Sequence, residues 1–369
     1  MRWRLTRYIL FGFVLLTALR TLVHSVAALH PPLVYRKDLL QDFLMARGLM
    51  EGLDPYLGIS QLGTLLMPHI PVTIFPHPSP HPPVTVFLSL PLASLEYPQA
   101  ASLWLLFETA LLVLISWQAL QILSIKGSRI RAISATLLLL LATPVVYAGL
   151  LQGQLSLLLL ALFMAAMLAI RDQKEVLAGI WLGIAFSIKF VGLPVFLYLV
   201  LRRRWRPCLI AGSTFLVLNL LAAVAFGPEV VRSYYVDVAP GITSLYRGDA
   251  HNQSFFTLGE RLWIGLDPQI QEAVRAPGLF YAPILARVTD LAVAGILIMV
   301  VTGLARRAGE MSALAIALAL SALASPVAWV HGLTLCLPAI LLGYRLLESR
   351  GWPPGESLVG LAICLGLSM

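Results

Sequence analysis

The stretch "GIAFSIKFVGLPVF", Gly183–Phe196, carries a single charge, Lys189, in an otherwise apolar run. A lysine at the centre of a membrane-spanning helix costs about 2.5–3.5 kcal/mol on insertion scales. What surrounds it therefore decides how this part of the chain folds. Lys174 precedes the stretch, and Arg202, Arg203, Arg204 and Arg206 follow it. Short basic loops mark the cytoplasmic side of membrane proteins, so residues 175–201 begin and end on one side. The segment must cross an even number of times, yet it is too short for two spans of about 20 residues each. The pattern predicts a re-entrant hairpin of two short helices over 175–201, turning near Lys189, Gly192 and Pro194. Irregular backbone at that depth is tolerated only where it is buried in protein or lines a wet cavity.

The rest of the chain is of the same kind. It is 59% hydrophobic and 12% charged, against about 25% charged in soluble domains. Apolar runs recur at roughly 8–28, 99–123, 130–149, 154–170, 206–226, 283–305, 311–329 and 332–347, and another starts near Ser357. The fold class is an all-α polytopic membrane protein, one integral domain over 1–369 with about 9–11 transmembrane or re-entrant helices. The first run follows Arg2, Arg4 and Arg7 and is longer than a signal-peptide core, so it reads as an uncleaved first span.

Sixteen of the 26 Lys and Arg residues fall on the cytoplasmic side in this scheme, all at the N-terminus or in short loops. The N-terminus is then cytoplasmic, and residues 29–98 and 227–282 form two outer loops, most simply in a bacterial inner membrane. The net charge of +8 follows from this loop bias. No basic stripe interleaves with aromatics, which argues against a nucleic-acid partner. Cys208, Cys336 and Cys364 lie far apart and form neither a CxxC pair nor a metal-ligand spacing.

In the first outer loop, Asp38 and Asp42 are four residues apart and share one side of a helix. Leu39, Phe43, Met50 and Leu53 form an adjoining apolar stripe, as in an amphipathic helix at a membrane surface. Gly52 and the Asp54-Pro55 step end it, with Asp54 itself a natural turn former. The second outer loop carries Arg261 and "HNQSFF", in which Asn252-Gln253-Ser254 has the form of a glycosylation acceptor. Arg20 and His24, four apart in the first span, point toward the bundle interior.

Taken in order, these pieces resemble glycosyltransferase family 87, the polyprenyl-phosphate-mannose-dependent group with the C-type membrane glycosyltransferase (GT-C) fold. The residues that carry the resemblance are Asp42-Phe43, Gly52-Leu53-Asp54-Pro55-Tyr56, His81-Pro82-Pro83, Gly153-Gln154, Lys189, Asn252-Gln253-Ser254, Ser325-Pro326, Trp329 and His331. The family more often has an aromatic where His81 stands and a proline where Phe190 stands. The resemblance implies inverting transfer of a sugar, mannose foremost, from a polyprenyl-phosphate donor. The acceptor is a lipid-linked or glycan hydroxyl at the outer face. Asp42 is the expected base, since an attacking hydroxyl needs a proton acceptor in reach. Lys189 or Arg261 is the expected contact to the donor phosphate, whose charge grows as it leaves. Asp38, Asp54, Gln154, Asn252, Gln253 and His331 are the candidate substrate contacts. No cofactor is assigned, and a divalent metal is left open. The competing expectations are a transporter or flippase for lipid-linked or small polar substrates, and a non-catalytic scaffold or inactive relative.

Overall fold

The computed structural model describes residues 2–70, 77–125, 129–264 and 278–349, and the apolar run from Ser357 and Cys364 lie outside them. Among the described residues every regular element is a helix. The long first helix α1 (Arg2–Ala27) leads to α2 (Leu39–Met50), α3 (Ile59–Leu66) and α4 (Val86–Ala93). Then come α5 (Tyr97–Ile122), α6 (Arg129–Leu141), α7 (Pro144–Gln152), α8 (Ser156–Arg171), α9 (Glu175–Ile188), α10 (Leu193–Leu201) and α11 (Trp205–Phe226). Three short helices follow, α12 (Pro228–Ser233), α13 (Ala239–Tyr246) and α14 (Leu258–Trp263). The last are α15 (Pro283–Arg307), α16 (Glu310–Leu323) and α17 (Leu337–Ser349).

Five stretches are long and apolar enough to cross a membrane: α1 from Tyr8, α5, α11, α15 and Val330–Leu347. A sixth exists if α6 and α7 count as one broken span. Leu16, Leu209, Val224 and Leu291 on α1, α11 and α15 are exposed, as side chains facing lipid should be. The shorter α8, α9 and α16 supply the interior instead. α8 buries twelve of its sixteen residues, because a helix apolar all round is stable only when surrounded.

The run at 130–149, read as one candidate span, is bent by 77° between α6 and α7. Thr143 precedes Pro144 and takes an extended backbone, φ −86° and ψ 137°, since a residue before proline is driven out of the helical region. Its hydroxyl accepts from the Val146 amide at 3.4 Å, and Pro144 opens the new helix. Hydropathy across this run is continuous and conceals the break.

Over 175–201 the chain forms a helix, a turn and a returning helix. Lys189 is extended and Gly192 has φ 120°, which suits glycine. Both open ends lie together, because Arg204 just beyond α10 reaches Glu175 at the start of α9 at 3.0 Å and Glu310 at 2.8 Å. Gly179 and Gly183 let α11 approach α9 closely, for a Cβ on them would sit 2.6 Å from Ile210 Cβ and 2.5 Å from Thr214 Cβ. Small residues spaced by four serve this purpose between membrane helices.

The helix at 39–50 is in place, but it does not lie open on a surface: nine of its twelve residues are buried. Met50 is exposed, whereas Leu39 and Phe43 enter the core. Arg20 and His24 of α1 are exposed rather than interior. They meet Tyr147, with His24 Nδ1 3.0 Å from its hydroxyl and the Arg20 guanidinium 5.4 Å from its ring centre.

Candidate active site

Asp42 stands in the first turn of α2 and is 3% exposed. One oxygen, Oδ1, accepts from His81 Nδ1 at 2.7 Å and from Ser79 Oγ at 3.3 Å. Its Oδ2 has no hydrogen bond among the described residues. The contact to a carboxylate places a proton on His81 Nδ1.

His81 is held from behind. Tyr56 donates its hydroxyl to the His81 carbonyl at 3.0 Å. Tyr56 is in turn set by Asp54, whose Oδ1 accepts the Tyr56 amide at 2.9 Å across the Pro55 turn. From the second loop region Tyr234 donates to the Pro80 carbonyl at 3.1 Å, its ring 5.7 Å from that of Tyr56. Burial pushes both phenols far above their ordinary range, so they stay protonated and act as donors.

Asp38 lies just before α2, one turn from Asp42. Its Oδ2 accepts from Gln154 Nε2 at 2.5 Å and its Oδ1 from Gln41 Nε2 at 3.4 Å. Burial raises the Asp38 carboxyl above the usual range, eased by the Gln154 hydrogen bond and the field of His81. Gln154 reaches it because Gly153 ends α7 in the left-handed region, φ 67°, where a Cβ would meet Leu39 Cβ at 3.0 Å. The neighbouring Lys37 is buried and donates to the Leu150 carbonyl at 3.1 Å and the Leu151 carbonyl at 2.5 Å. A cation there satisfies the orphan carbonyls at the end of α7. Burial lowers its pKa, opposed by the carboxylate field of Glu108.

Lys189 comes into this neighbourhood from the hairpin turn. Its ammonium makes no hydrogen bond or ion pair among the described residues, but it is within the electrostatic reach of Asp38 and Asp42. His331, 6% exposed, is within reach of Lys189 and His81. Asp42, Asp38, Gln154, Lys189 and His331 therefore gather in one region. They come from the start of α2, the α7 end, the hairpin turn and the 3-10 turn Val330–Cys336.

The other candidates do different work. Asn252 is wholly buried, and its amide nitrogen donates to the Tyr246 carbonyl at 3.0 Å and the Pro326 carbonyl at 3.2 Å. Its oxygen accepts from the Ser254 amide at 3.0 Å and the Ala328 amide at 2.9 Å. Every group that could bind a sugar is thus spent on pinning this loop to the 326–328 strand of coil. Arg261 caps the same loop, donating to the carbonyls of Asn252 and Ser254. Gln253 is exposed and points to the His251 carbonyl at 3.4 Å. Asp54 is exposed and closes its turn.

Sequence reasoning passed over His81, Ser79 and Lys37 as site residues. His81 had a visible signal, a titratable side chain in a place where an aromatic is usual. Among the described residues no group of three or more His, Cys, Asp or Glu is arranged to hold a metal ion. The cluster as built can accept a proton at Asp42 Oδ2 and offer an uncommitted cation nearby.

No curated protein and no solved structure matches this chain. The family model for glycosyltransferase family 87 matches residues 80–326, well over half of the 369 residues. The match includes His81, Gln154 and Lys189 and starts after Asp42, whose place in the cluster rests on the geometry alone. An all-helical, multi-pass chain that matches a sugar-transferring family over this length is an enzyme rather than a transporter or a scaffold, and it belongs to glycosyltransferase family 87.

Proposed function

We propose that the chain moves a hexose, mannose foremost, from a polyprenyl-phosphate donor to a hydroxyl of a lipid-linked or glycan acceptor, with inversion and a GT-C arrangement of its helices. In this reading the N-terminus is cytoplasmic in a bacterial inner membrane, and the Asp42 cluster opens to the outer face. The acceptor hydroxyl loses its proton to Asp42 Oδ2 as its oxygen attacks the anomeric carbon. The bond from that carbon to the phosphate oxygen breaks, and the polyprenyl phosphate leaves with the electron pair. Lys189 stabilises the charge that develops there.

One observation carries the reading. Asp42 is fixed through Oδ1 by His81 and Ser79, its Oδ2 is uncommitted, and a lysine without an ion-pair partner shares its electrostatic surroundings. A base and an opposite charge held apart but close are what a displacement with an anionic leaving group requires. Arg261, the other cation considered for the phosphate, is occupied by the carbonyls of Asn252 and Ser254.

The test uses purified full-length protein in lipid with radiolabelled polyprenyl-phosphate sugars and a lipid extract as acceptor. Wild type should move label to a new product. Asp42→Ala should lose about 10²–10⁴-fold of that rate, the range of a missing general base. Equal transfer by both proteins removes Asp42 from the role.

A further inference from the structure

The connection from α5 to α6 is one of the short basic loops, with Lys126, Arg129 and Arg131. The end of α5 and the start of α6 line a cavity of about 220 Å³. Trp117, Gln121, Ser124, Arg129, Ala132 and Ile133 are among its lining residues, and no acidic side chain is. We infer that this cavity seats the headgroup phosphate and first chain segment of an anionic membrane phospholipid, with Arg129 as the charge that selects it.

Three observations converge. Arg129 is exposed and makes no hydrogen bond or ion pair among the described residues. Asp172, which comes near this edge, is already paired with Arg171 at 2.8 Å, and Arg171 donates to the Gln121 carbonyl at 2.7 Å. Next, α5 ends with Ser124 in the left-handed region, φ 52°, where glycine is usual. The Ser124 amide donates to the Gln121 carbonyl and the Ile125 amide to the Leu120 carbonyl, each at 3.2 Å. A serine there bears backbone strain and adds to the lining a hydroxyl that has no hydrogen-bond partner among the described residues. Finally, Trp117, Leu120, Ala132 and Ile133 make the remaining wall apolar, with Trp117 42% exposed. A tryptophan and an arginine together at the end of a spanning helix mark the depth of lipid headgroups.

The cavity is smaller than the roughly 300–1,000 Å³ of small-molecule pockets, so it takes a headgroup and the top of a chain rather than a whole soluble ligand. Charge then decides among lipids. A zwitterionic headgroup brings its own cation into the field of Arg129. An acidic phospholipid offers phosphate oxygens alone to the guanidinium and the Ser124 hydroxyl, a charge-assisted contact. The loop-charge reading places this end of the bundle at the cytoplasmic leaflet, whose acidic lipids basic pockets between spanning helices recruit. The site shares that side assignment with the transfer reading but none of its chemistry, and it lies on other elements than the Asp42 cluster.

The test titrates the full-length protein in detergent with phosphatidylglycerol or with phosphatidylcholine of the same chains, followed by native mass spectrometry and Tm. Wild type should bind phosphatidylglycerol about 3–10-fold more tightly, the weight of one arginine at an anionic headgroup. Arg129→Gln should erase that preference and leave phosphatidylcholine binding unchanged. Arg129→Lys keeps the charge and should bind phosphatidylglycerol within about threefold of wild type. Ala132→Phe fills the cavity and should block binding at an unchanged lipid-free Tm; if that Tm falls, the two Arg129 variants decide. Arg206→Gln, at an exposed arginine outside the lining, should behave as wild type. In a third arm, glycerol 3-phosphate should fail to displace the lipid. Equal binding of the two lipids by wild type, or a preference that survives Arg129→Gln, overturns the site. So does an equal loss in Arg206→Gln, which would mean surface charge alone, or displacement by glycerol 3-phosphate, which would mean a site for free phosphate. None of these outcomes touches Asp42-dependent sugar transfer, and loss of that transfer would leave the lipid preference in place.

Discussion

At the scale of single residues, Asp42 and Asp38 show how one turn of helix separates two chemistries. Asp42 is anchored through one oxygen and keeps the other free. Asp38 has both oxygens engaged and a carboxyl raised by burial. The raised value means the folded protein holds that proton more tightly than the unfolded chain does. The stability it contributes is fully present below the unfolded pKa of 3.8 and is lost as the pH climbs through the higher folded value. Asp38→Asn keeps an acceptor for Gln154 and cannot ionise. The Tm of Asp38→Asn minus that of wild type should therefore grow as the pH rises from 4 into the neutral range. A difference that is constant or shrinks with pH would refute the assignment. Asp42 was a candidate in the sequence because the family resemblance expects an aspartate on the helix after the first span. Asn252, expected as a substrate contact, has its side-chain amide engaged by residues 246, 254, 326 and 328. No local pattern announces a brace assembled over that distance. His81 was hidden for the same reason, 39 residues from the carboxylate it serves.

At the scale of elements, the decisive devices are breaks rather than helices. The chain kinks at Thr143-Pro144, ends α7 at Gly153, starts α8 three residues later, and turns again at Lys189–Gly192. The breaks at Gly153 and at Lys189–Gly192 deliver Gln154 and Lys189 to the same region from apolar runs. Proline and glycine flag these points in the sequence, but hydropathy averages over them, which is why 130–149 reads as one span. Gly153 makes the point testable. Gly153→Ala would strain a left-handed backbone by about 1–2 kcal/mol and press a methyl group on Leu39 Cβ. Both effects push Gln154 away from Asp38. The expected result is a lower Tm and a markedly reduced transfer rate with the protein still inserted in the membrane. Wild-type rate and Tm together would show that the Gln154–Asp38 contact is dispensable.

For the whole molecule, the charge pattern supplies what no single helix can, an expectation for the direction in which the bundle faces. Among the described residues, five or six stretches long enough to span surround an interior of shorter helices. Arg204 ties the hairpin ends to α16 through Glu175 and Glu310, so the turn and the tie lie at opposite ends of the hairpin. If Arg204 is cytoplasmic, the turn opens outward. Phe190, 66% exposed at that turn, is the place to ask. A cysteine at Phe190→Cys in the cysteine-free background should react with small charged maleimides added from outside intact cells. Reaction only after the cytoplasmic face is opened would invert the topology. Among the described residues only five or six stretches are long enough to cross, fewer than the eight apolar runs read as spans, whereas the all-helical class follows from apolar length and composition. The closeness of Lys189 to Asp42 does not, because it depends on how deep the hairpin sits and how α2 packs beneath the outer loops.

The support beneath His81 has a consequence for anyone surveying this protein by substitution. Asp54 sets Tyr56, Tyr56 holds the His81 carbonyl, and His81 steadies Asp42. Damage at the exposed end of that series would travel inward and be recorded as lost turnover. A saturation screen scored only by product would thus colour the Gly52–Tyr56 corner as if it touched substrate, and would draw the reaction centre larger than it is. Scoring the same library for phosphate-lipid capture as well would separate the scaffolding from the centre, since a displaced base spoils chemistry while leaving the lysine free to bind.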